Sequence, residues 1–360
     1  MLIKIYQTYI IKLFIKYLMI ITGIFVILGF FLNILEELRF FEKFDLSIYY
    51  PIFLTLLNIP SITFELFPFI FLIATQFFFI KLYENEELIT LKKFGITNLK
   101  ILKILLITSL MSGLFISTIF YSFSSHLKHS YLSLKNKYTD DNKYLAVVNE
   151  NGLWLKDEIN NKINIINANI FEQNILKDIT ISQLDKDFNL EKTFIIEKAN
   201  IEKNTWRLEN VNVFEINGEV KRQKELNFKS NFNVEIINNT FSNLSSLSYF
   251  ELLSLYKNYD SLGYATLEIK SYLYKLYSFP IYLMLMSIIG CILMFNIKYN
   301  KSKIFHIIIG IIFSVLVYYV NYFSNLLGTN EKVPVLISNG LPYLILLIIC
   351  LIGMVKLNEK

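Results

Sequence analysis

Three long apolar runs open this chain, three more close it, and a polar, strand-like stretch lies between them. That order constrains the fold more than any other feature. About twenty apolar residues is the length a helix needs to cross the hydrocarbon core of a bilayer. Inside that core only helices and closed barrels satisfy their own backbone. The spans fall at about 10–34, 54–80, 100–123, 273–295, 304–326 and 340–356. The expected fold class is an α+β membrane protein: six transmembrane helices (3+3) with an inserted β-rich domain. Residues 1–124 hold the first three spans, 125–267 the inserted domain and 268–360 the last three. The 54% hydrophobic content, Tyr counted, and the positive mean hydropathy exceed what a soluble domain of this length usually shows, as six apolar spans require. The first run starts near Tyr9, continues past Phe31 and lacks a small-residue cleavage site, so it reads as a span rather than a cleaved signal. Cys291 and Cys350 both lie in spans, so no disulfide framework staples the middle domain.

Short-loop cations set the orientation, because Lys and Arg are retained on the cytoplasmic side. Lys4, Lys12 and Lys16 lead into the first span, and Lys81, Lys92, Lys93, Lys100 and Lys103 lie between the second and third. Lys298, Lys301 and Lys303 join the fourth to the fifth, and Lys356 and Lys360 follow the sixth. The opposite loops are less basic: Glu36, Glu37, Glu42 and Asp45 stand against Arg39 and Lys43, and Glu331 against Lys332. Both termini are therefore expected in the cytoplasm and the middle domain outside.

The middle domain alternates β-rich runs with polar turns: Tyr144–Asn149, Leu153–Lys156, Ile163–Phe171, Ile179–Leu184, Thr193–Ile201, Trp206–Ile216 and Leu226–Ile236. Turns are expected at Asn151-Gly152, Asp185–Asn189, Glu202–Asn204 and Asn217-Gly218. A spacing near ten residues without helical period predicts an antiparallel sandwich or open barrel. Ser248 with Glu251 forms a capping box that opens a short helix, broken by Asp260–Gly263.

No Ser/His/Asp grouping, metal-ligand cluster or Gly-rich phosphate loop occurs, so neither catalytic residues, metal nor cofactor is expected. His126 and His129 read as interfacial histidines rather than a metal pair. G-x-x-x-x-G-K-[ST] is absent, so uphill movement would draw its energy from another protein. The loop at about 83–95 is the point of entry to consider. Leu88, Leu91 and Phe94 recur at helical spacing, Glu84, Glu86 and Glu87 precede them, and Lys92 and Lys93 close the segment before Gly95. Those charges suit the helix dipole, and Gly is the usual terminator. Two readings stand: an interfacial helix lying on lipid, or a coupling helix seated in a groove of a cytoplasmic ATPase. At the outer face, Arg39, Lys43, Lys128, Lys135 and Lys137 run against the positive-inside bias. They suit lipid phosphates, or else solvated partners of nearby carboxylates. Glu65, between Pro60 and Pro68, is either a functional group at depth or an interfacial one, and the prolines suggest a kinked or broken approach.

The layout resembles the LptF/LptG permease family of the lipopolysaccharide exporter over the full length. The residues that carry the likeness are Ile34-Leu-Glu-Glu-Leu-Arg39, Glu86-Glu87-Leu88 with Gly95, Pro60 with Pro68, and Asn151-Gly-Leu-Trp-Leu-Lys-Asp157, the last closer to LptG than to LptF. The resemblance implies an inner-membrane, multi-pass permease with a periplasmic jellyroll-like domain, and no enzyme activity or nucleic-acid partner. It implies a second LptF-like permease, a dimer of LptB-like ATPases, and LptC-like and LptA-like proteins that receive lipopolysaccharide. By the same resemblance Arg39, Lys43, Lys128 and Lys135 contact lipid phosphates, and Glu86, Glu87, Leu88, Leu91 and Gly95 couple to the ATPase. Readings of other classes are a different ABC lipid or lipoprotein exporter, and a membrane enzyme acting on lipid-linked sugars. The outer domain follows the third span rather than the first, which disfavours the former. Glu36, Glu37 and Glu42 are thin material for the latter.

Overall fold

The computed structural model describes residues 4–44, 46–138, 153–159, 162–172, 174–186, 188–215, 218–234, 237, 243–261, 266–295 and 303–358. The chain divides into two units, Met1–Lys128 with Leu267–Lys360, and His129–Thr266.

The first unit is a helical bundle. Its elements are α1 (Ile5–Phe41), α2 (Tyr49–Glu84), the short α3 (Glu87–Lys93), α4 (Asn98–Phe115) and α5 (Tyr121–Asn136), whose Lys128 marks the unit's edge. A π-helical turn, Ile116–Phe120, joins α4 to α5. After the other unit, with its helix α6 (Tyr249–Ser261), come α7 (Leu267–Phe295), α8 (Lys303–Thr329) and α9 (Val335–Asn358). Six helical stretches are long and apolar enough to cross a membrane, with α4, the π turn and α5 forming one of them. At 1.5 Å per residue, the 36 residues of α2 span about 54 Å, well beyond a hydrocarbon core of about 30 Å. Five of the six helical stretches extend past the expected spans at both ends, and α7 does so at its start. Pro60 and Pro68 do not break α2, which runs through both.

Helix α2 is the bundle's centre because its apolar residues are not confined to one stripe. Phe71, Phe78 and Phe79 are fully buried, and Phe14 of α1 sets its ring edge-on against Phe71 and Phe78. On α7, Gly290 lets the two backbones approach: a Cβ there would lie 2.9 Å from the Leu72 carbonyl oxygen. Polar side chains cross between helices, as membrane packing permits. Gln76 donates to the His306 carbonyl of α8 at 2.7 Å, and Ser109 of α4 to Ser287 of α7 at 2.9 Å.

The second unit holds one six-stranded antiparallel sheet: β1 (Leu153–Ile159), β2 (Lys162–Glu172), β3 (Ile175–Leu184), β4 (Leu190–Asn200), β5 (Thr205–Glu215) and β6 (Val220–Lys229). The strands hydrogen-bond in chain order, so the described sheet is a meander rather than a two-sheet sandwich. Register puts the apolar residues on one face. Leu155 faces Ile166, Ile166 faces Ile181, Ile181 faces Phe194, and Phe194 faces Val213. All these residues belong to one buried cluster with Trp206, Phe232 and Ile237. The expected run to Ile236 ends at Lys229, where the Ser230 amide donates to the Asn204 carbonyl and the chain turns to lay Phe232 over the core. Turns form at Asp185–Asn189, with Phe188 at φ 61°, and at Gly218, with φ 81°. The expected strand Tyr144–Asn149 and turn Asn151-Gly152 lie outside the described residues. Glu251 accepts from the Ser248 amide at 2.6 Å, the capping contact that opens α6.

Asp157 shows that the sheet rolls up. It belongs to the first strand, yet it accepts from Ser230 Oγ at 2.8 Å and from the Asn231 amide and side chain at 3.2 and 2.8 Å, just past the sixth. Burial pushes its carboxyl above the usual range, and those hydrogen bonds oppose the shift only in part. A raised folded-state value means the folded state holds the proton longer. The contribution of Asp157 to stability is therefore best in acid and declines as pH rises from about 3.9 through the raised value. Glu215 runs the other way, because Lys192 and Lys221 hold its carboxyl below the usual range. Comparison with Asp157→Asn isolates the first effect. The wild-type-minus-variant opening free energy, read by hydrogen exchange at the β1 amides, should fall as pH rises above about 3.9. A difference independent of pH would contradict this.

Candidate functional site at the two ends of the bundle

At one end, α3 covers only Glu87–Lys93 of the expected 83–95 segment. Asn85 and Glu86 interrupt the helix, Glu86 in the left-handed region at φ 55°, and α3 restarts at Glu87. Gly95, at φ 74°, turns the chain out of α3. Thr97 then caps α4 by accepting from the Lys100 amide. The apolar face of α3 is divided. Leu88 is buried against the bundle and Leu91 is half-buried, but Phe94 is 80% exposed and Ile89 also faces outward. The Glu87 carboxylate is held within the chain. It accepts from the Tyr9 hydroxyl of α1 at 2.6 Å and from Asn85 Nδ2 at 2.8 Å. Lys303 at the start of α8 pairs with Glu84 at 3.2 Å, and Tyr83 donates to the Met294 carbonyl of α7. The platform under α3 is thus tied to α1, α7 and α8.

At the other end, the expected lipid-facing cations separate into three settings. Arg39 and Lys43 are both exposed, Arg39 in the last turn of α1 and Lys43 four residues on. Lys128 is half-buried and feels the charges of Glu65 and Lys275. Lys135 lies in the other unit and is buried; its ammonium donates to the Tyr131 hydroxyl at 2.9 Å.

Sequence reasoning missed a cleft between α2, α7, α8 and α9. Glu65 of α2 and Lys275 of α7 line it, with Tyr282, Tyr318, Tyr322 and Tyr343. Asn321, Asn325 and Asn339 supply carboxamides. Asn339 donates to Ser271 Oγ at 2.8 Å, and that hydroxyl donates to Asn325 Oδ1. The sequence signal was present: Asn321 and Asn325 are four apart, so they share a face of an otherwise apolar helix. Among the described residues, no three His, Cys, Asp or Glu side chains gather as a metal site.

These features define a class: a polytopic membrane protein carrying one β-domain between two three-span sets. The model of the lipopolysaccharide export system permease LptF/LptG family matches residues 8–356. The chain belongs to that family, whose members are transporter permeases of a multi-subunit lipopolysaccharide export system in the inner membrane. No curated protein matches the chain in sequence.

Proposed function

We propose that this chain is the LptG-like permease of an ABC-type exporter that lifts lipopolysaccharide out of the inner membrane. Family membership across nearly the whole chain is the observation that carries the substrate and the process. A second, LptF-like permease faces it across a cavity. A dimer of LptB-like ATPases sits beneath α3, and the middle domain hands lipid to LptC-like and then LptA-like proteins in the periplasm. Lysines at the α3 end of the bundle support a cytoplasmic placement of that end and of both termini. The exposed Phe94 and Ile89 suit a groove on a soluble partner, since exposed apolar groups at a polar end favour docking. Leu88, Leu91 and Gly95 shape the segment that is pushed, and Glu86 with Glu87 anchors its start.

Arg39 and Lys43 are the strongest outer-face phosphate ligands, because both are exposed and lie four residues apart where α1 ends. Lys128 is a second-rank ligand. Lys135, committed to Tyr131, reaches a phosphate only by giving up that contact. ATP binding closes the ATPase pair, α3 transmits the motion, the cavity narrows, and the lipid moves up into the middle domain. No covalent bond of the lipid changes. Detergent pull-down of the full chain, read by mass spectrometry, should recover a P-loop ATPase and a second permease of the same layout. Recovery of neither overturns the assembly. Arg39→Glu should cut lipopolysaccharide stimulation of ATPase activity in the reconstituted complex several-fold. An unchanged response removes Arg39 from the lipid site.

A further inference from the structure

The cleft between α2, α7, α8 and α9 holds charges whose placement calls for a ligand. Glu65 lies about 24 Å along α2 from Lys81, so it sits within the apolar length of that helix rather than beyond it. Lys275 lies two turns into α7. Among the described residues Glu65 and Lys275 do not close to a salt bridge with each other. Glu65 is exposed and Lys275 half-buried, its ammonium 5.8 Å from the centre of the Tyr272 ring, and ionisable groups inside spans mark function by default.

The lining chooses among ligand classes. A simple anion would satisfy Lys275 but meet repulsion from Glu65. A neutral polyol would suit the carboxamides and phenols but leave every charge unpaired. A zwitterion pairs both charges of the lining: its phosphate takes Lys275 and its ammonium takes Glu65. Tyrosine faces add attraction for an ammonium within about 6 Å of a ring. Tyr318 and Tyr322 are about half exposed on α8, beside the outward apolar residues Leu316, Tyr319 and Phe323. The cleft therefore opens sideways onto the face where acyl chains would lie.

We propose that this cleft binds the headgroup of an ethanolamine phospholipid, with the ammonium at Glu65 and the phosphate at Lys275. This site is separate from the Arg39 and Lys43 phosphate ligands and does not depend on them. It gives the permease a resident bilayer lipid wedged among four of its own helices.

The test is native mass spectrometry of the full-length chain in detergent, with equimolar phosphatidylethanolamine and phosphatidylglycerol of identical acyl chains. The expected result is about a tenfold preference for phosphatidylethanolamine, the size one good ammonium contact supplies. Glu65→Gln should abolish the preference while both lipids still bind. Lys275→Gln should weaken both lipids alike. Should Glu65→Gln not purify as a folded chain, Tyr322→Leu replaces it and should reduce the preference. Equal retention in the wild type overturns the proposal, as does a preference unchanged by these substitutions. Displacement of the lipid by free phosphoethanolamine at millimolar concentration would assign the cleft to a soluble ligand and overturn the lipid.

Discussion

A Glu87→Lys chain should insert and fold, assemble with its partners, and export little or no lipopolysaccharide. The carboxylate accepts from Tyr9 on α1 and from Asn85 at the break before α3. A lysine cannot accept from either donor, and it places a cation at the positive end of α3. The stability cost is small, about 1 kcal/mol, because the contacts lie at the surface. The functional cost is large, because the junction of α1, α2 and α3 is where motion from an ATPase would enter. We expect export to fall at least about a hundredfold, which corresponds to roughly 2.7 kcal/mol of lost coupling. Tyr9→Phe sharpens the test. It removes the α1 contact and leaves the carboxylate available to a partner. Loss of export in both variants assigns Glu87 to the internal knot. Loss only in Glu87→Lys assigns it to the partner surface. Normal export in Glu87→Lys sinks the coupling role altogether.

That experiment separates two roles which sequence alone could not. A carboxylate at the start of a short basic-ended helix reads as a partner contact. The residue that captures it, Tyr9, is 78 positions away, and no local pattern announces such a pair. The spans, in contrast, were legible because hydropathy over twenty residues reports on one physical demand. Their ends were not, because helices continue for several turns past the hydrocarbon, and α1 reaches Phe41. Pro60 and Pro68 suggested a kink or a break, and the break does not occur. Proline breaks helices where water competes, but packed helices in a membrane keep α2 continuous. In the middle domain, alternation located β2 to β5 closely. It did not reveal that Asp157 reaches across to Ser230, since closure depends on the curl of the whole sheet. Among candidate site residues, the fate of Lys135 turned on Tyr131 one turn earlier on α5. The cleft went unread because its lining comes from four helices spread over residues 65–343.

Trp206→Ala should open the middle domain while leaving the six spans inserted. Trp206 is fully buried at the start of β5, and its ring lies 6.2 Å from Phe228 on the paired strand β6. Its indole N–H donates to the Phe232 carbonyl at 2.7 Å, so one side chain fills the core and also pins the segment that covers it. Truncation of a buried tryptophan costs about 3–5 kcal/mol. The orphaned carbonyl adds about 1–3 kcal/mol where water cannot reach it. Against a usual domain stability of about 5–15 kcal/mol, that sum can exhaust the margin. Trp206→Phe keeps most of the volume and loses the hydrogen bond, so it should cost only the smaller part. Hydrogen exchange distinguishes the outcomes: β5, β6 and the Ser230–Phe232 amides should lose protection in Trp206→Ala, with an intermediate loss in Trp206→Phe. Amides of α2 and α7 should keep theirs, because the helical bundle has its own core around Phe71 and Gly290. Equal protection of β5 in both variants and wild type would mean that Phe232 is held by packing alone. Loss of protection in α2 as well would mean that the two units fold as one.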